Sequence, residues 1–425
     1  MHTTSPAKGK PGYRLFGQGL LLAIVIALLA GTFSLERISP DLAWLDIRLV
    51  ACYVLLLGFI VWGILGSRAQ WPHHRPAVRS IWWFYAWTTW MALSANWSPN
   101  GARVKDSLVG LFTMALLISM TAQVVKRLED DDLNFIWNTL LVIAMLYLVA
   151  AMRAGPGVQG RYSAFGGGPN VFVRVLLIGA LSALLLYLRS GHIVALLTIP
   201  FLAVGAVLSG SRGGLVAGAA VMFVGMAPIM RRLGLRRSFW ASALTTIVAW
   251  LFFLYGGSST LAFIQQRFIQ QTLVEDYSSG RVSISEQAIG LFESHVWFGV
   301  GIDGYFGIVG QYSGVVYPHN LFLASAAEGG LIGVTLLTCA IIALNLTALK
   351  WRPIPLNTLF AWLSGVFLLV ASQFSGDYYD SRMMWFFFVM ASVNSARPDT
   401  PIDSPGKDRP ARQTDTSLGR GASAH

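Results

Sequence analysis

Charge is scarce in this chain. Only 12% of its 425 residues are Asp, Glu, Lys or Arg, while 55% are apolar; soluble domains carry about 25% charge. The shortage excludes an ordinary soluble fold and points to a bilayer as the solvent. Cysteine is scarcer still. Cys52 and Cys339 both lie in long apolar runs, which excludes a disulfide framework and a thiolate metal site. Carboxylates are thinly spread: beyond the run Glu129–Asp132, residues such as Asp303, Asp377 and Asp380 stand apart, so no metal is expected. The internal repeat that marks many secondary transporters is also missing.

What the chain does have is apolar length and aromatic rings, with 15 Trp and 25 Phe. A helix needs roughly 20 apolar residues to cross a bilayer, and about 17 suffice. Runs of this kind fall at 15–33, 47–66, 81–95, 107–122, 135–152, 171–188, 193–208, 215–230, 239–255, 321–349, 356–374 and 383–393. The expected fold is an all-α polytopic membrane protein with about twelve transmembrane helices. The first run follows Lys8, Lys10 and Arg14 like a signal peptide, but no small-residue cleavage site closes it, so it reads as a retained helix. The last run is short and is expected to borrow Asp380, Ser381 and Arg382 as interfacial residues.

The net charge of +11 first reports topology in a chain of this kind, and no nucleic-acid partner is expected. With the N-terminus in the cytoplasm, alternate connections carry Arg68, Arg75 and Arg79, then Lys126 and Arg127, Arg189, Arg231 to Arg237, and Lys350 and Arg352. These are the positive-inside loops. The expected organisation is a cytoplasmic N-terminus (1–14), helices one to nine (15–255), an outer loop subdomain (256–320), helices ten to twelve (321–395) and a disordered cytoplasmic tail (396–425). The large outer loop holds amphipathic stretches at 261–273 and 284–292. Outer connections should be poor in basic residues, yet they contain Arg37, Arg103, Lys105, Arg153, Arg161, Arg212, Arg267, Arg281 and Arg382. Singly, each reads as a snorkelling or paired side chain. As a group they point to an anion on the outer face.

Three outer motifs stand where a returning helix begins: Pro169-Asn170, Ser211-Arg212-Gly213-Gly214 and His319-Asn320. A helix N-terminus offers unpaired N–H groups and the positive end of the macrodipole, and glycines let a phosphate approach the backbone. Each motif also has a plainer reading: Gly210 to Gly214 as a tight turn, Arg161 as an interfacial anchor, Gly280-Arg281 as a helix cap. Two histidines face outward. His295, before Val296-Trp297-Phe298, reads as packing, whereas His319 can take a proton or can serve as a cap. Asn170, Ser211, Asn320, Arg103, Lys105 and Arg382 are expected to touch substrate, and Asp377 or Asp380 to pair with Arg382 or orient His319.

Several of these motifs resemble the O-antigen ligase superfamily: 161–170, Ser209 to Gly214, Ser279-Gly280-Arg281, Gly299 to Gly304, and Pro318-His319-Asn320 with Glu328-Gly329-Gly330. The resemblance runs from about residue 95 to 333. The superfamily contains lipopolysaccharide ligases, O-antigen polymerases and protein O-oligosaccharyltransferases. It implies a glycosyltransferase fold of the C type (GT-C) in the inner membrane of a Gram-negative bacterium, with a periplasmic active site and both termini cytoplasmic. The implied donor is a glycan on undecaprenyl pyrophosphate and the implied acceptor lipid A-core, with no cofactor. One large outer loop and a short segment at 153–170 favour the ligase over the polymerase. A short polar tail argues against the protein-directed transferases. In this reading Arg161, Arg212 and Arg281 bind pyrophosphate and His319 activates the acceptor by an inverting route. A transporter or flippase for a lipid-linked anion is the competing class, disfavoured because the motifs gather at one face.

Overall fold

Apolar segments in lipid must satisfy every backbone polar group internally, and a helix does so within one segment. The structure, a computed structural model, describes residues 11–30, 47–67, 79–234, 281–350 and 354–395, with isolated positions at 247, 262, 265 and 266. The described segments fold as α1 (Pro11–Ala30), α2 (Ile47–Ser67), α3 (Ile81–Leu93), α4 (Val104–Arg127), α5 (Asn134–Ala154) and α6 (Gly168–Ser190). They continue with α7 (Ile193–Leu208), α8 (Arg212–Leu233), α9 (Arg281–Ser294), α10 (Leu321–Leu349), α11 (Leu356–Ala371) and α12 (Arg382–Ser395). Among the described residues no strand occurs. Eleven of the twelve apolar runs are thus helices. The run 239–255, the stretch 261–273 and the tail 396–425 lie outside the described residues.

Six of the described helices are long and apolar enough to cross a membrane: α1, α4, α6, α8, α10, and α5 with its preceding turn; Leu49–Leu65, Ile193–Leu208 and Leu356–Ala371 are shorter apolar helices. The chain is therefore a helical polytopic membrane protein. The α5–α6–α7 helices pack as successive neighbours, α10 lies on α3, and α8 lies on α11.

The short last run forms a helix enclosed by other helices. In α12 every residue from Met383 to Ser395 is buried, and α11, α10 and α4 enclose it. Trp385 packs against Phe84 and Trp87 of α3, with ring centroids 4.9 and 5.5 Å apart. The serines of α12 bond to a neighbouring helix: Ser392 Oγ donates to Leu344 O at 2.8 Å and Ser395 Oγ to Thr347 O at 2.9 Å.

The Gly-rich motifs at 299–304 and 328–330 are packing devices. Gly330 breaks α10 with φ 66° and ψ −163°, backbone angles that only glycine adopts readily. A Cβ there would lie 2.4 Å from the Trp297 carbonyl carbon, and one on Gly299 would lie 2.4 Å from that of Glu328. The two backbones cross this closely because Val300 N donates to Ala327 O and Gly301 N to Glu328 O, both at 2.9 Å, and Leu331 N to Val296 O at 2.7 Å. The Glu328 carboxylate accepts from Asp303 N at 3.0 Å and Tyr305 N at 3.3 Å. Glu328-Gly329-Gly330 and Gly299 to Gly304 together staple the loop after α9 onto α10.

Candidate functional site

The N-terminal turns of α6, α8 and α9 and the far end of α11 meet around a cavity of about 200 Å³. Its wall includes Arg161, Asn170, Arg174, Ser211, Arg212 and Arg281. Four guanidinium-bearing side chains from four segments face one space, and the N-termini of α6 and α8 add their dipoles to the same sign. An anion is the ligand such a wall favours.

Each wall residue is set by a local reason. Ser211 caps α8: its side chain accepts from Gly214 N at 3.4 Å and donates to Asn170 Oδ1 at 2.8 Å. Asn170 Nδ2 in turn donates to Ser375 Oγ at 3.0 Å, so one chain of side chains joins α8, α6 and the turn after α11. Arg161 Nε donates to Ser209 O at 3.0 Å and Tyr162 N to Leu208 O at 3.1 Å, tying the 155–167 connection to the end of α7. Gly213 and Gly214 belong to the first turn of α8 and not to a turn before it. A Cβ on Gly213 would lie 2.3 Å from Phe374 Cβ, and one on Gly214 would lie 2.3 Å from Val173 Cγ1. Their smallness lets α8 press on α6 and on the 371–375 turn, which is what closes the wall.

His319 sits beside this cavity and not in its wall. It adopts φ 59°, and its ring meets Tyr317 edge-on with centroids 4.6 Å apart. Among the described residues nothing hydrogen-bonds its imidazole. Burial holds it below the ordinary imidazole pKa, the Arg281 guanidinium adds to that, and Asp380 pulls the other way. Both effects of charge act through space, so neither Asp377 nor Asp380 orients the ring by a hydrogen bond. A neutral imidazole at neutral pH, next to an arginine of the cavity, can accept a proton. Asp377 is pushed up to about 7 by loss of hydration and by the neighbouring Asp380 carboxylate.

Of the remaining expected substrate contacts, Asn320, Arg382 and Arg103 have protein partners, and none of the set lines the cavity. Asn320 caps α10, accepting from Leu323 N at 3.0 Å. Arg382 pairs with Asp380 at 3.3 Å, as its acidic neighbours suggest, and donates to Leu28 O at 2.6 Å. Arg103 makes a two-pronged bond to Asp303, Nε to Oδ2 at 3.1 Å and Nη2 to Oδ1 at 3.0 Å, with its guanidinium 3.7 Å from the Phe306 ring centre. The Asp303 partner holds its charge firmly and raises its pKa. Lys105 is exposed at the start of α4 and does not line the cavity. The sequence reading missed Arg174. Its signal was a cation inside an apolar run, four residues after Asn170 and so on the same helix face.

Fold and cavity together define a helical membrane protein with a cationic chamber at one end of its bundle. Residues 193–338 match the family described as O-Antigen ligase. The matched segment carries Arg212, Arg281 and His319, while Arg161, Asn170 and Arg174 come from the elements before it. No curated protein matches the chain.

Proposed function

We propose that the protein is an O-antigen ligase with a GT-C-type fold, transferring a glycan from undecaprenyl pyrophosphate to a sugar hydroxyl of lipid A-core at the periplasmic face of the inner membrane. The observation that carries this reading is the convergence of Arg161, Arg212 and Arg281 on one cavity, with His319 within electrostatic reach of Arg281. Diphosphate is a good leaving group once its charge is stabilised, and these three guanidinium groups supply that stabilisation without a bridging cation. His319, kept neutral, removes the proton of the acceptor hydroxyl as the oxygen attacks the anomeric carbon. The bond to the diphosphate oxygen breaks in the same displacement, and the anomeric centre inverts. The cavity wall fixes the donor's diphosphate, so the reaction gains from positioning two lipid-borne partners at one depth.

The test is complementation of a ligase-deficient bacterium with wild type and His319→Ala. Long-chain lipopolysaccharide with wild type, and accumulated lipid-linked polymer with the variant, is the expected result. Lengthening of single repeats by wild type would instead assign a polymerase. A folded His319→Ala protein that still ligates would remove His319 from the mechanism.

A further inference from the structure

Arg174 is a cation placed where the helix-start motifs do not require one. It lies inside α6, within the apolar run 171–188, and lines the cavity. Its Nη2 donates to two carbonyls, Ala371 O at 3.1 Å and Ser375 O at 2.5 Å. Among the described residues no carboxylate forms a salt bridge with it, and Nε and Nη1 have no protein acceptor. Neutral carbonyls fix a guanidinium but do not neutralise it, and a neutral amide would serve them without withdrawing a charge from water. Ionisable groups at this depth are costly and face a partner or a water-filled cavity. Here the partner space is the cavity itself.

We propose that Arg174 is a fourth anion ligand, holding a phosphate of the donor diphosphate at the deep side of the cavity while its Nη2 ties that phosphate's position to the 371–375 turn. The proposal rests on the reading of the ligand as a polyprenyl diphosphate. It also assigns the turn a purpose: Ser372 O accepts from Leu321 N at 3.2 Å, so the turn that Arg174 grips also holds the first residue of the helix after His319. Donor binding and the placement of the base then share one support.

The experiment uses the full chain in detergent micelles, as wild type, Arg174→Met and Arg174→Gln, titrated with undecaprenyl diphosphate and separately with inorganic pyrophosphate. Hydrogen bonds to charged groups are worth enough to change affinity by about 10- to 100-fold, and both variants are expected to bind both probes that much more weakly. Arg174→Gln keeps an amide donor for the two carbonyls, so it reads the charge alone if the methionine variant does not fold. Wild-type affinity in either folded variant, even with a lower melting temperature without ligand, would make Arg174 a strut and overturn the proposal while leaving the proposed function standing. Failure of wild type itself to bind either diphosphate would overturn both.

Discussion

A base works at neutral pH only in its unprotonated form, and the surroundings of His319 fix where that form begins. Burial and Arg281 lower its pKa and Asp380 raises it, with the lowering effects larger. Ligation is therefore expected to rise with pH along an acid limb whose midpoint lies below about 6.5, the ordinary imidazole value, and to be level at neutral pH. The sign of each neighbour gives two sharper outcomes. Removing the positive charge in Arg281→Gln makes protonation easier, so the midpoint of the limb should move to higher pH, beside a loss of rate of about 10²- to 10³-fold for one lost charge-stabilising donor. Removing the negative charge in Asp380→Asn should move it to lower pH. Rates of ligation measured across pH in membranes check both, and a midpoint that stays fixed in both variants would show that another group titrates. Arg212→Lys probes the clamp at the same scale, because it keeps the charge and loses the planar fork that matches phosphate. Donor binding is expected to weaken, and titration of undecaprenyl diphosphate reads it.

Glycine at helix crossings decides whether the elements can meet at all. Gly214→Ala would drive a methyl to 2.3 Å from Val173 Cγ1, forcing α8 off α6; overpacking of this kind costs about 1–3 kcal/mol. A lowered melting temperature is expected, together with weaker diphosphate binding, since the same contact closes the cavity wall. Unchanged melting and binding would mean that α6 yields without consequence. Legibility at this scale was uneven for physical reasons. Long apolar runs announce helices because lipid leaves the backbone no alternative, so 193–208 and 321–349 were readable to the residue. That Arg161, Asn170, Ser211, Arg212 and Arg281 would come together was readable too, because helix starts and glycines carry a local chemical signature. Arg174 was hidden by the apolar run around it. Partners far along the chain were not readable: nothing near Arg103 announces Asp303, 200 residues away, nor does the composition of α12 distinguish burial in protein from burial in lipid.

Across the whole molecule, two polar ends are held apart by an apolar bundle, and they do different things. At the end opposite the cavity, the run Glu129–Asp132 gathers the helix starts and ends around it. Arg14 of α1 pairs with Asp132 at 2.8 Å and with Glu129 at 3.0 Å, and Gln18 donates to Asp132 at 3.0 Å. Arg189 at the end of α6 pairs with Asp130 at 3.3 Å and also with Asp131. Asn394 of α12 donates to Asp130 Oδ1 at 2.9 Å and Asn357 of α11 to Asp130 O at 2.8 Å. Arg14 and Arg189 at this hub are paired with carboxylates, whereas Arg174 at the other end has no such pair among the described residues. The acidic hub is thus expected to carry stability and the cavity end ligand binding. Asp132 is only 5% exposed and accepts from Arg14, Gln18 and the Glu129 backbone, so Asp132→Asn removes the charge from a satisfied site. A loss of about 1.5–3 kcal/mol is expected, the range for hydrogen bonds to charged groups, seen as a lower melting temperature in detergent. Affinity for undecaprenyl diphosphate should stay at the wild-type value in the protein that remains folded. The reverse pattern, stable protein with weakened donor binding, would mean that α6, which runs from Arg174 to Arg189, transmits the state of one end to the other.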